Sequence, residues 1–327
     1  MRKPPSIGDI GRWLFWGPFR HTLSPNRPRQ IRVLREAWRA QWLGSGKQHG
    51  LMIEELERCF PSADAQALIP KAYKRAWQIH LEELLLGKVN AQTIDHYIQV
   101  DGITHLEQAM ANQNGVLLLY PHAGPVMLMM AWLAHHGYPY VQYAARGLPP
   151  AEMAEAHPEL LASNWFRERT RQSREAAEDA LPVEFVTLDK SVRPLIRALK
   201  KNQIVAIAFD GRIGQRWHPM PFLNRTALLS SGPYRLAQRC EATILPTFCW
   251  VDDSGQGRVS FLEPLTAFNT WEHTAQTFLQ AITPTIEAHP EEYALWLLHC
   301  RQRCGIDDHP LFVDQATDQR YTKWMAD

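Results

Sequence analysis

Beyond Asp101 the chain alternates short apolar runs with longer stretches of helical spacing. Runs at Val116–Tyr120, Tyr140–Ala144, Val183–Leu188, Ile204–Phe209 and Thr243–Val251 are strand-sized, and 126–136, 151–179, 191–201 and 229–240 between them carry apolar residues three and four apart. The pattern predicts an α/β fold with a mainly parallel central sheet and helices on both faces. A last strand, RVSFLEPL at 258–265, and helices near 271–288 and 291–299 close the chain. Before residue 101 the spacing is helical, at 28–43, 51–58 and 63–86, the last opening on the start signal Ser62-x-Asp64. This divides the chain into a helical amino-terminal segment, 1–100, and an α/β domain, 101–327.

One stretch imitates a membrane span. Gln108 to Ala145 holds no Asp, Glu, Lys or Arg. Pro121, Gly124 and Pro125 nevertheless cut it into a strand-sized and a helix-sized piece, each too short to cross a bilayer. Burial inside an α/β domain accounts for it better.

Charge changes the picture at the amino end. The net charge of +1 conceals ten Lys/Arg against two Asp/Glu in the first 50 residues, which leaves 25 against 32 in the rest. Among Arg12, Arg20, Arg35 and Arg39 stand Trp13, Phe15, Trp16, Phe19, Trp38 and Trp42. Aromatic rings favour the headgroup layer and cations favour anionic lipid, so residues 10–45 read as a peripheral membrane contact. A second reading is a helical hairpin whose tryptophans pack on the body. Five cysteines without a CxxC pair suit a reducing, cytoplasmic setting, and His299-Cys300-x-x-x-Cys304 offers too few ligands for a metal.

Ligands of such folds bind where strands end at the carboxyl edge of the sheet. His122 follows the first strand, Asp210 follows IVAIAF and Arg146 follows YVQYAA. A base, a carboxylate and a cation at three strand ends are the makings of one polar site on an apolar scaffold.

LERCFP, VDGITHLEQAMANQNGVLLLYPHAG, VRPLIRALKKNQIVAIAFDGR, PFLNRTALLSSGPYRLAQRCEATILP and HPEEYALWLLHCRQR occur in that order over residues 50 to 303. The succession resembles the bacterial lipid A biosynthesis lauroyl/myristoyl acyltransferases of the lysophospholipid acyltransferase superfamily. The resemblance implies acyl transfer from acyl carrier protein or acyl-coenzyme A to a hydroxyl or amine of a lipid-like or carrier-bound acceptor, with no cofactor. It implies His122 as general base and an acidic residue five positions later to orient the ring. That position is Met127. Either another carboxylate, Asp210 first among them, orients His122, or the His acts alone on an easier nucleophile, or the site is silent. His49 and His309 are each followed five residues later by an acid, but neither follows a strand.

Further candidates for substrate binding are Arg146, Arg171, Arg212, Arg225 and Met127. Arg167, Arg171 and Arg174 share a helix face suited to phosphate or to an acidic carrier protein, or else to pairing with Glu168 and Glu175. Arg212 and Arg225 flank a Trp/Pro-rich loop that the resemblance sets near the acyl donor. Met127, Met129 and Met130 suit an acyl-chain tunnel or the core. Three readings follow: a membrane-peripheral acyltransferase on the inner face of the cytoplasmic membrane, a silent relative that binds lipid or carrier protein, and a soluble acyltransferase of a secondary pathway. Gly211, where the resembled family often has Gln, suits the second. No P-loop or nucleic-acid reading motif is present.

Overall fold

The computed structural model describes residues 4–36, 46–146, 163–188, 191–212, 216–266, 270–304 and 310–315. Trp38, Arg39 and Trp42, with the parts of the expected helices at 37–43 and 151–162, lie outside the described residues. The strands are β1 (Ile98–Asp101), β2 (Val116–Tyr120), β3 (Tyr140–Ala144), β4 (Glu184–Thr187), β5 (Ile204–Ala208), β6 (Trp217–Phe222), β7 (Arg225–Ser230), β8 (Thr243–Val251) and β9 (Gly257–Phe261). Among the described residues, seven of them form one sheet in the order β1-β9-β8-β2-β5-β3-β4. Strands β8, β2, β5, β3 and β4 are mutually parallel; β9 turns back antiparallel to β8, and β1 runs parallel to β9.

Side chains of a strand alternate between faces, and β2 divides accordingly. Leu117 and Leu119 enter one buried cluster with the helices Gly46–Cys59, Arg193–Lys200, Gly232–Cys240, Trp271–Ala288 and Pro290–Arg303. Val116, Leu118 and Tyr120 enter the other, with the helices Ile103–Ala111, Val126–His135 and Trp165–Asp179. The helix Ala65–Glu83, capped by Asp64 through the Ala67 N–H, contributes to both. Helices therefore cover both faces, as the sequence predicts. The helix Val126–His135 is buried from Leu128 to Ala134, which explains a charge-free stretch without a membrane. No described helix is long and apolar enough to cross a bilayer.

Two elements depart from the sequence reading. The expected helix 229–240 starts only at Gly232, because Trp217–Phe222 (β6) and Arg225–Ser230 (β7) form an antiparallel hairpin in place of the expected loop. Pro219 and Pro221 argue against a central strand, but a two-stranded ribbon leaves their missing N–H groups on an edge. Leu223 and Asn224 both take positive φ, 49° and 59°, at the turn that twisted two-residue hairpins require. Strand β1 is too short, at four residues, to stand out from the helical leader, and it straddles the 100/101 division.

Candidate active site

Parallel pairing sets the site. Tyr120 of β2 is in register with Ala208 of β5, and His122 and Asp210 each lie two residues beyond this pair at the carboxyl edge. The His122 loop sits directly against β8: Gly124 has φ +67°, and a Cβ there would stand 2.0 Å from the Cys249 carbonyl oxygen. Only glycine fits this approach.

The Asp210 carboxylate is fully buried and accepts hydrogen bonds from two residues. His122 Nδ1 lies 2.7 Å from Oδ1, the His122 backbone N–H donates to Oδ2 at 3.0 Å, and the Tyr293 hydroxyl donates to Oδ2 at 2.9 Å. An ionised carboxylate can only accept, so Nδ1 carries the proton in this contact and Nε2 keeps the lone pair. Burial, and then the charge of Asp210, push the Tyr293 hydroxyl far above its ordinary pKa, which keeps it a donor. The buried Tyr234 hydroxyl, shifted upward by the same two causes, has no hydrogen-bond partner among the described residues. The imidazole is 39% exposed and so reachable from outside. Trp296 lies on one face of it, and His299 stacks on Trp296 at 5.0 Å. Chemically, the arrangement is a fixed imidazole with a free lone pair, able to take a proton from a bound hydroxyl or amine.

Of the three strand-end residues, the structure joins His122 to Asp210 and holds Arg146 elsewhere. The Arg146 guanidinium lies over Phe185 at 4.5 Å and pairs with Glu178 and Asp179 at 3.1 and 2.7 Å. Arg212, two residues past Asp210, donates twice to the Leu228 carbonyl and lies over Trp217. Arg225 is nearly buried between Glu55 and Asp314, at 2.6 Å from each, and covers the Phe312 ring. Burial opposes its charge, but the bonds to Asp314 and Glu55 prevail and push its pKa up. Arg171 pairs with Glu168 and Glu175 on its own helix, Arg167 reaches Asp9, and Arg174 lies over Trp16. Met127 is half-buried in the first turn of its helix, packed on the Leu118 side of the sheet. Sequence reasoning missed Tyr293 and Trp296 as site residues. Their i, i+3 spacing on the helix Pro290–Arg303 was a signal that two rings share one face.

Residues 37–302 match the model of the bacterial lipid A biosynthesis acyltransferases. The chain belongs to that family. It is also similar to the phosphatidylinositol mannoside acyltransferase of Mycobacterium tuberculosis, 24% identical over 57% of this chain and 54% of the relative, so that it spans about half the relative's length. With the phosphatidylinositol mannoside acyltransferase of Mycolicibacterium smegmatis it shares 22% identity over 81% of this chain and 86% of the relative. Among solved structures, the 1-acyl-sn-glycerophosphate acyltransferase of Thermotoga maritima aligns over 74% of this chain and 94% of its own, at 11% identity and a TM-score of 0.36. Met127 stands five residues after His122, and the carboxylate beside His122 is Asp210, 88 residues away in sequence.

Proposed function

We propose that the protein is an acyltransferase that moves a fatty acyl group from acyl carrier protein or acyl-coenzyme A to a hydroxyl or amine of a lipid-like or carrier-bound acceptor. His122 is the general base and Asp210 the carboxylate that orients it. The acceptor's oxygen or nitrogen attacks the thioester carbonyl as Nε2 takes its proton. The tetrahedral adduct then collapses, the C–S bond breaks, and the proton on Nε2 passes to the departing sulfur. A positioned base of this kind contributes roughly 10²- to 10⁴-fold in rate. The observation that carries this reading is the 2.7 Å contact between His122 Nδ1 and a buried Asp210, which supplies from another strand what Met127 lacks. Relatives named for phosphatidylinositol mannoside support a lipid bearing sugar hydroxyls as the acceptor class. Such an acceptor resides in a bilayer, so the reading includes peripheral contact, assigned to residues 10–45, with the inner face of the cytoplasmic membrane.

The test is to incubate purified protein with labelled acyl-carrier protein or acyl-coenzyme A and glycolipid acceptors. Transfer is expected, falling at least about 100-fold in His122→Ala. Undiminished transfer by His122→Ala overturns the mechanism. Absence of transfer with lipid binding retained assigns the silent relative instead.

A further inference from the structure

One residue of the hairpin joins the active-site loop to the last described segment of the chain. The backbone N–H of Leu228 donates to the Leu311 carbonyl at 2.8 Å, and the Leu228 carbonyl accepts from both terminal nitrogens of Arg212, at 3.1 and 2.8 Å. In an antiparallel ribbon the N–H and C=O of one residue point to the same side, so both bonds leave the edge of β7 that faces away from β6. Segment 310–315 lies along this edge, with Phe312 bridged antiparallel to Ala227. Leu311 and Phe312 are fully buried, and the Arg225 guanidinium covers the Phe312 ring at 3.8 Å. Asp314 accepts from Arg225 at 2.6 Å, and Gln315 donates to Glu55 at 2.7 Å, which ties the segment to the helix Gly46–Cys59. The segment lies beyond residue 302, where the family match ends.

The other end of this connection borders the reacting atoms. Arg212 is buried and follows Gly211, where a Cβ would stand 4.0 Å from His122 Cε1. Cε1 is bonded to Nε2, so the loop from Asp210 to Arg212 forms a wall beside the place where the acceptor's nucleophile must stand. Met220, Phe222, Ala227 and Leu229 bury one face of the hairpin in the core. Apolar burial is non-directional and holds that face without fixing the edge; a two-stranded ribbon needs a further strand or helix to be well defined. Segment 310–315 supplies this at the N–H of Leu228, and the Leu228 carbonyl passes it on to Arg212. A displacement of about 1 Å at a reacting centre can cost about 100-fold in rate, so the connection bears on catalysis as well as on stability.

We infer that Leu311 and Phe312 are positioning residues for acyl transfer, holding the Gly211 wall beside His122 through Leu228 and Arg212. The inference rests on the reaction proposed above. The experiment compares steady-state transfer, well below each thermal midpoint, in wild type, Phe312→Ala, Arg212→Met, the double variant and Leu106→Ala, a fully buried position on the other face of the sheet. Phe312→Ala is expected to lower kcat about tenfold with KM and the pH profile unchanged, since Asp210 keeps its bonds to the imidazole. Phe312→Leu is expected to recover most of that loss. The double variant is expected to lose no more than Arg212→Met alone, as two residues acting through one connection do. Leu106→Ala is expected to lower the midpoint and keep the wild-type kcat. Wild-type kcat in Phe312→Ala overturns the inference, as do losses that multiply in the double variant; if Phe312→Ala does not fold, Asp314→Ala, at the more exposed end of the segment, takes its place on the same terms. Hydrogen exchange separates this outcome from failure of the proposed reaction. Even if wild type transfers nothing, the amides of Gly211 and Arg212 are expected to exchange at least about threefold faster in Phe312→Ala and not in Leu106→Ala, and equal rates overturn the inference.

Discussion

Trp296 lies flat on the imidazole of His122, with ring centroids 3.8 Å apart and planes 14° from parallel. A stacked indole restricts rotation about the bonds that aim the imidazole, and its π face favours the ring when it carries a proton. Trp296→Ala is expected to lower kcat by about ten- to a hundredfold with a smaller change in KM, because the ring loses its aim more than the substrate loses contacts. Trp296→Phe, which keeps a flat face, is expected to recover most of that loss in the same steady-state assay.

Asp210→Asn preserves shape and leaves an amide oxygen for the Tyr293 hydroxyl or the His122 N–H. It removes the charge and the preference for the proton on Nδ1. By the behaviour of the carboxylate–histidine pair in serine hydrolases, kcat is expected to fall by about 10⁴. Circular dichroism and the thermal midpoint distinguish this loss from unfolding.

Tyr293→Phe deletes one hydrogen bond to a buried carboxylate without altering the packing of the ring. A hydrogen bond to a charged group contributes about 1.5–3 kcal/mol. Urea denaturation is expected to report a loss of that order, with kcat falling less than in Asp210→Asn because the His122 contacts survive.

Two other buried carboxylates make stability depend on pH. Burial pushes Glu292 from its ordinary 4.5 up to about 8, although it accepts from the Val251 N–H and lies 3.6 Å from Arg75. Burial likewise pushes Glu82, paired with Arg35, up to about 7. A carboxyl whose pKa is raised on folding binds its proton more tightly in the folded chain. Its contribution is complete below about 4.5 and is lost as pH rises through 7 to 8. Denaturation midpoints are therefore expected to fall between pH 6 and pH 9, and Glu292→Gln is expected to flatten that fall.

Arg225→Met is expected to destabilise the chain by about 3–5 kcal/mol, the usual consequence of leaving one member of a buried ion pair uncompensated. Glu55, fully buried, loses its 2.6 Å partner and keeps Arg301 at 3.4 Å and Gln315 at 2.7 Å. Chemical denaturation measures the effect.

The strands and the His122–Asp210 pair were legible because both rest on local pattern: unbroken apolar runs mark β2 and β5, and residues just past neighbouring parallel strands meet at one edge. Arg146 shows the limit of that reasoning. It stands equally far past β3, yet a positive φ of 47° and the carboxylates of Glu178 and Asp179 turn it to a different helix. The hairpin was hidden by Pro219 and Pro221, which argue against strands everywhere except at an edge.

Asp210 grips both the main chain and the ring of His122, and the two attachments have a joint effect. Releasing the ring alone leaves the loop anchored, and releasing the loop alone leaves the ring anchored, so neither drifts without breaking both. The orientation of the imidazole is thus settled during folding, and an arriving ligand meets a group that has no freedom left to surrender.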